Sequence, residues 1–175
     1  QFVHVYASQA RIKNVGPSGG TMVLIRKEFS VIGVEHLPVP DRKDFWCIGV
    51  VRLKKINIAL CSVYIHPDDE VLNNETRYKI AKFFGVSKGP YLIGGDYNEE
   101  PPELSQSDWG IVHKSEFILP QNTVVTCNQG AKGSLIDYGL GSIETKYIMK
   151  AFPCYQVPCK THIGMTYRVN DKPYL

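Results

Sequence analysis

Asp96 and Asn98 stand two apart in the run Tyr91-Leu92-Ile93-Gly94-Gly95-Asp96-Tyr97-Asn98-Glu99-Glu100-Pro101. The apolar start reads as a buried strand. The two glycines permit the tight backbone that a strand-to-loop turn needs. In extended chain, residues two apart point to the same side. A carboxylate and an amide would then face one spot, which suits a hard cation or a phosphate oxygen. The same residues also make ordinary turns. A calcium loop is a third reading, because Asp96-x-Asn98-x-Glu100 opens like an EF-hand. It fails at the sixth position, Pro101 rather than Gly, and at the twelfth, Ser107 rather than Glu.

Three further residues could join them. Tyr64 ends the apolar run Val63-Tyr64-Ile65-His66-Pro67, where its residue type alone reads as a strand aromatic packing on a neighbour. His66 beside it reads as a surface histidine at a strand end, with contact to substrate or metal as the alternative. Asp137 lies in Ser134-Leu135-Ile136-Asp137-Tyr138-Gly139-Leu140-Gly141-Ser142, and a carboxylate inside such a strand is costly unless paired or hydrogen-bonded. His162 precedes the last apolar segment.

The elements that must position these residues follow from periodicity and punctuation. Thr21 to Lys27 reads as a strand after Gly19-Gly20. Residues 35–44, with Pro38, Pro40 and Asp41, read as a loop. Phe45 to Leu53 and Ile56 to Ile65 flank a Lys54-Lys55 turn and predict an antiparallel hairpin. Pro67, Asp68 and Asp69 announce a helix from Glu70 to Val86, with Leu72, Ile80, Phe83 and Phe84 on its apolar side. The prolines after Glu99-Glu100 favour a second helix start, and Trp109 a core anchor. Thr123 to Asn128, Ser134 to Ser142, Thr145 to Phe152 and Met165 to Val169 read as strands, with a turn at Gly130 to Gly133.

A length of 175 residues supports one domain with a sizeable core. A 43% apolar and 21% charged composition is that of an ordinary globular chain. The net charge of +3 is compatible with a phosphate-bearing partner and too mild to demand one. No run is long and apolar enough to span a membrane as a helix. The five cysteines are odd in number and form no CxxC pair, which speaks against structural zinc and for reduced thiols in an intracellular protein.

Gly94-Gly95-Asp96-Tyr97-Asn98 resembles the Gly-Asp-Phe-Asn motif of the endonuclease/exonuclease/phosphatase superfamily. Four other stretches resemble its signatures in the family's order: the strand after Gly19-Gly20, the strand ending in Tyr64-Ile65-His66-Pro67, Ile136-Asp137-Tyr138, and Thr161-His162-Ile163-Gly164-Met165. The resemblance implies an α+β fold, a four-layer α/β/β/α sandwich of two packed mixed sheets (DNase-like). It implies a magnesium- or manganese-dependent phosphoesterase, with an endonuclease acting on nucleic-acid phosphodiesters as one form. Asp96 would orient water, act as base or bind a cation, and Asn98 would hold a phosphoryl oxygen or the metal. Asp137 would hydrogen-bond His162, which would donate to the phosphate, and Tyr64 would bind another phosphate oxygen. Two departures stand out. Thr161 replaces the family's Asp, and the family's early Asn and its Gln-Glu pair, which supplies the main magnesium ligand, have no match. With Gln1 as its first residue, the chain is expected to lack its N-terminal edge, and Glu35 is no substitute. The alternative is a catalytically degenerate domain that serves as a binding module.

Overall fold

The computed structural model describes residues 2–8, 11–13, 16–18, 20–31, 45–53, 56–86, 89–156 and 161–170. The expected loop at 35–44, the Lys54-Lys55 turn, Gly19 and Cys159 lie outside them. In chain order the strands are β1 (Phe2–Ser8), β2 (Arg11–Lys13), β3 (Gly16–Ser18), β4 (Thr21–Arg26), β5 (Ser30–Val31), β6 (Trp46–Leu53), β7 (Ile56–Tyr64) and β8 (Tyr91–Asp96). They continue with β9 (Glu116–Ile118), β10 (Asp137–Gly141), β11 (Met149–Cys154) and β12 (Gly164–Val169). The helices are α1 (Glu70–Val86), α2 (Pro101–Ser105) and α3 (Ile143–Ile148).

A six-stranded mixed sheet runs in the order β5-β6-β7-β8-β10-β9. The expected hairpin is its β6–β7 pair, in register from Trp46↔Val63 to Leu53↔Ile56. β7 and β8 pair in parallel, and α1 makes the crossover that parallel neighbours require. One face of the sheet carries Trp46, Ile48, Cys61, Val63, Tyr91, Ile93, Tyr138 and Leu140, and packs against Ile80 and Phe84 of α1 and Leu104 of α2. The other face meets a second β layer made of two antiparallel ribbons, β1–β4 and β11–β12. Val23 and Ile25 of β4 pack there on Cys47 and Val51, while Met149, Ala151, Met165 and Tyr167 pack on Ile58 and Leu92. This is an α+β sandwich.

The helix signals are met locally. Asp69 accepts the Leu72 N–H at 3.0 Å, and α1 buries Leu72, Ile80 and Phe84, together with the unexpected Asn73 and Thr76. Asn73 is buried because its side chain brackets the His66 backbone, accepting from His66 N and donating to His66 O. The acidic run after Asp96 is structural: Glu100 and Glu103 form a capping box on α2, and Arg77 of α1 pairs with Glu99. Trp109 is a core anchor, its indole N–H donating to the Arg77 carbonyl.

Three sequence expectations about the strands and their surroundings fail. Thr145 to Phe152 is not one strand: Ser142 accepts the Thr145 N–H as an N-cap, and α3 forms before β11 begins at Met149. Thr123 to Asn128 forms no ladder, because Cys127 makes isolated bridges to Ser134 on one side and His162 on the other. His66 is no surface residue. It is 3% exposed, stacked on Phe45, with its Nδ1 accepting the Asp68 N–H.

Candidate active site

Three strand ends define the site. In register, Tyr64 of β7 is opposite Asp96 of β8, and Asp96 is opposite Asp137 of β10. Registered residues on neighbouring strands share a face, so the three form a row across the large sheet. That face looks toward the second layer, where Thr161 and His162 lead into β12. The row lies at the C-terminal ends of the parallel strands β7 and β8, where open sheets place ligands. Asp137 is the first residue of β10 rather than an interior one.

Asp137 and His162 form a hydrogen-bonded pair. His162 Nδ1 lies 2.9 Å from Asp137 Oδ2 and 3.2 Å from Oδ1. One ligand atom from each of Asp96, Asp137 and His162 lies within 4.8 Å of the other two. Burial pushes the Asp96 carboxyl up to about 6. Its acceptance of the Asn98 N–H opposes that rise, and the negative charge of Asp137 reinforces it. Burial also raises Asp137, against the bonds it receives from His162 and Thr126. A cavity of about 480 Å³ opens between the layers beside this cluster, lined in part by Ser62, Gly94, Asp96, Asp137, His162 and Tyr167. The Tyr167 ring lies against Gly94 and Gly139, and its buried hydroxyl has no hydrogen-bond partner among the described residues.

Asn98 reaches the site differently from the expected extended geometry. The strand stops at Asp96, whose Oδ1 accepts the Asn98 N–H at 2.9 Å, and Asn98 takes φ +49°. Asparagine tolerates that left-handed conformation, and the aspartate closes the turn. Asn98 Nδ2 then donates to the Ile65 carbonyl at 2.6 Å, which ties the turn to the end of β7. Tyr64 stands on the row but packs edge-on against Phe45 and His66. The structure therefore gathers Asp96, Asp137 and His162 tightly and sets Tyr64 and Asn98 beside them.

Two residues were missed. Thr126, fully buried, accepts the N–H groups of Ile136 and Asp137 at 3.0 and 2.9 Å. Its hydroxyl hydrogen is left to bond the Asp137 carboxylate, which contributes to the opposing effect noted above. Cys127 places its Sγ 3.7 Å from His162 Nε2. Neither contact has a local signal, since Thr126 and Cys127 lie 11 and 35 residues from these partners.

The donor set fits a hard divalent cation. Two carboxylates sit close together with raised pKa values, a strain that a cation would relieve. Magnesium is commonly held by one or two carboxylates, with water and phosphate completing its shell. Asp137 is engaged by the imidazole, so the carboxylate that would hold a cation is that of Asp96, whose Oδ1 also accepts the Asn98 N–H, with the amide oxygen of Asn98 next along the turn.

No family model matches the chain, and no curated protein matches it. Solved structures do. The endonuclease domain of TRAS1, a telomere-specific non-LTR retrotransposon, aligns with a TM-score of 0.68 at 16% identity, over 95% of this chain and 78% of that one. An AP endonuclease, LMAP, from Leishmania major aligns with a TM-score of 0.66 at 12% identity, over 95% and 70%. The mannosyl-6-phosphatase Bt3783 of Bacteroides thetaiotaomicron aligns with a TM-score of 0.55 at 11% identity, over 85% and 65%. Identities this low speak for the fold and not for the substrate. The chain has the DNase-like fold that these solved structures share.

Proposed function

We propose that this protein is a divalent-cation-dependent phosphoester hydrolase, with nucleic-acid phosphodiesters as its substrate. The observation that carries this reading is the Asp137–His162 pair beside Asp96, at strand ends lining one cavity. Phosphoester hydrolysis needs a base or orienting group for water, a donor to the phosphoryl oxygens, and stabilisation of developing charge. Asp96 accepts a hydrogen bond or proton from water, and a carboxyl titrating near 6 is ionised yet usefully basic at neutral pH. Asp137 occupies His162 Nδ1, which leaves Nε2 as the ring nitrogen able to donate. Tyr64 and Asn98 bind phosphate oxygens at the edge of the row. Magnesium or manganese held at Asp96 and Asn98 would neutralise charge on the phosphoryl group. Two of the structurally similar proteins are endonucleases, which supports the substrate class.

The test is hydrolysis of labelled DNA and RNA with magnesium. Asp96→Ala should lower the rate by about two to four orders of magnitude, the range for a general acid or base. An unchanged rate in a folded Asp96→Ala variant removes the assignment.

One observation favours the second reading, a binding module. Thr161, at the position where the superfamily carries an Asp, supplies no charge, and its carbonyl is already bound by the Asn128 N–H at 2.8 Å. Thr161→Asp should raise hydrolysis if the site is a weakened enzyme. Nucleic-acid binding with no cleavage in either protein would establish the binding module instead.

A further inference from the structure

We propose that Cys127 and His162 form a site for a soft divalent cation of the zinc class, distinct in chemistry from the hard-cation site at Asp96. Cys127 Sγ and His162 Nε2 stand 3.7 Å apart. Two tetrahedral zinc ligands with bonds of about 2.3 Å to sulfur and about 2.0 Å to nitrogen stand roughly 3.6 Å apart. The two atoms are thus at ligand spacing without rearrangement. Asp137 holds the opposite ring nitrogen at 2.9 Å. That carboxylate–histidine arrangement is the one that orients metal-binding imidazoles and raises their basicity.

The surroundings select what can enter. Cys127 is 2% exposed, so a carbonyl or phosphoryl substrate cannot approach its sulfur. The His162 side chain is 28% exposed and lines the cavity, so a cation has a route to Nε2. The thiol is also held in place from both sides. Cys127 and Ser134 exchange backbone hydrogen bonds at 2.9 and 2.8 Å, and Cys127 bridges to His162 on its other flank. Sulfur and imidazole together favour zinc or cobalt over magnesium. On binding, the cation forms a bond to Sγ and a bond to Nε2, and the thiol proton leaves to solvent. Water completes the shell. A cation there occupies the histidine nitrogen that would otherwise meet a phosphate, so soft metal would silence the site. The proposal rests on Cys127 and His162 alone and survives if the hydrolase reading fails.

The test is titration of cobalt(II) into the reduced, metal-free protein, followed by absorption. The expected result is a thiolate-to-cobalt charge-transfer band with tetrahedral d–d bands, saturating at one cobalt per chain and erased by zinc. The band should vanish in Cys127→Ser and in His162→Gln, and persist in Cys154→Ser. His162→Gln guards against misfolding of the buried thiol variant, and circular dichroism checks both. No band in the wild type, or a band that survives in a folded Cys127→Ser or His162→Gln variant, overturns the proposal.

Discussion

Asp96 carries its charge at the expense of stability. Its carboxyl titrates near 6 in the folded chain, against an ordinary value of 3.8. Between about pH 4 and pH 6 the folded state therefore binds more protons than the unfolded state, and stability falls as pH rises through that window. The loss is on the order of 2 kcal/mol, after allowance for partial exposure. Asp137 is raised as well and adds in the same direction. Asp96→Asn keeps the acceptor for the Asn98 N–H and removes the charge. In chelator at pH 7.5 the variant should melt roughly 4–8 °C higher than the wild type. The difference should close toward pH 4.5, where both side chains are neutral. Melting curves at the two pH values check this, and a variant that melts lower at pH 7.5 contradicts it. A residue kept ionised against the interest of the fold is most simply a residue kept for a ligand.

At the scale of elements, the β7–α1–β8 unit brings Tyr64 and Asp96 level, and its three elements were legible, though not the parallel pairing of its strands or the burial of Asn73 and Thr76. Proline and aspartates set the start of α1, apolar spacing set its face, and Gly94-Gly95 marked the end of β8. The glycines mean different things in space. A Cβ on Gly95 would overlap the Val63 carbonyl oxygen of the paired strand, whereas one on Gly94 would meet only the Tyr167 ring, at 3.4 Å. Gly95→Ala should therefore cost at least about 2–3 kcal/mol, as forced overpacking does, and Gly94→Ala about 1 kcal/mol or less. Urea unfolding of the two variants checks the order, and equal losses would refute the close approach of β7 and β8. The misread elements were those set by distant partners. Thr123 to Asn128 looks like a strand by its β-branched content, yet its backbone is divided between Ser134 and the segment at Thr161 to Ile163. For Asn98 the ordinary-turn reading was the right one over the extended reading, because Asp96 bonds the backbone two residues on and closes a turn onto it.

For the whole molecule, the site exists only because two layers meet. Asp96 and Asp137 come from the six-stranded sheet, and His162 comes from the segment leading into the second layer, 25 residues from Asp137. The sequence could order these motifs along the chain, and the resemblance could say that they converge. It could not show that Cys127 and Thr126 stand behind them, because that depends on how loops pack between the layers. The overall charge bears on the substrate. The net charge is +3 and the basic residues are dispersed along the chain rather than striped, so a footprint of few phosphates is expected. A polynucleotide contacting two to four of them should show a log–log salt slope of roughly −2 to −4. Between 50 and 200 mM salt its affinity should then fall about 10- to 150-fold. Fluorescence anisotropy with labelled single- and double-stranded DNA in chelator measures this without cleavage. A slope near zero, or no binding at low salt, would remove polynucleotides and leave a small phosphate ester as the ligand of the same cavity.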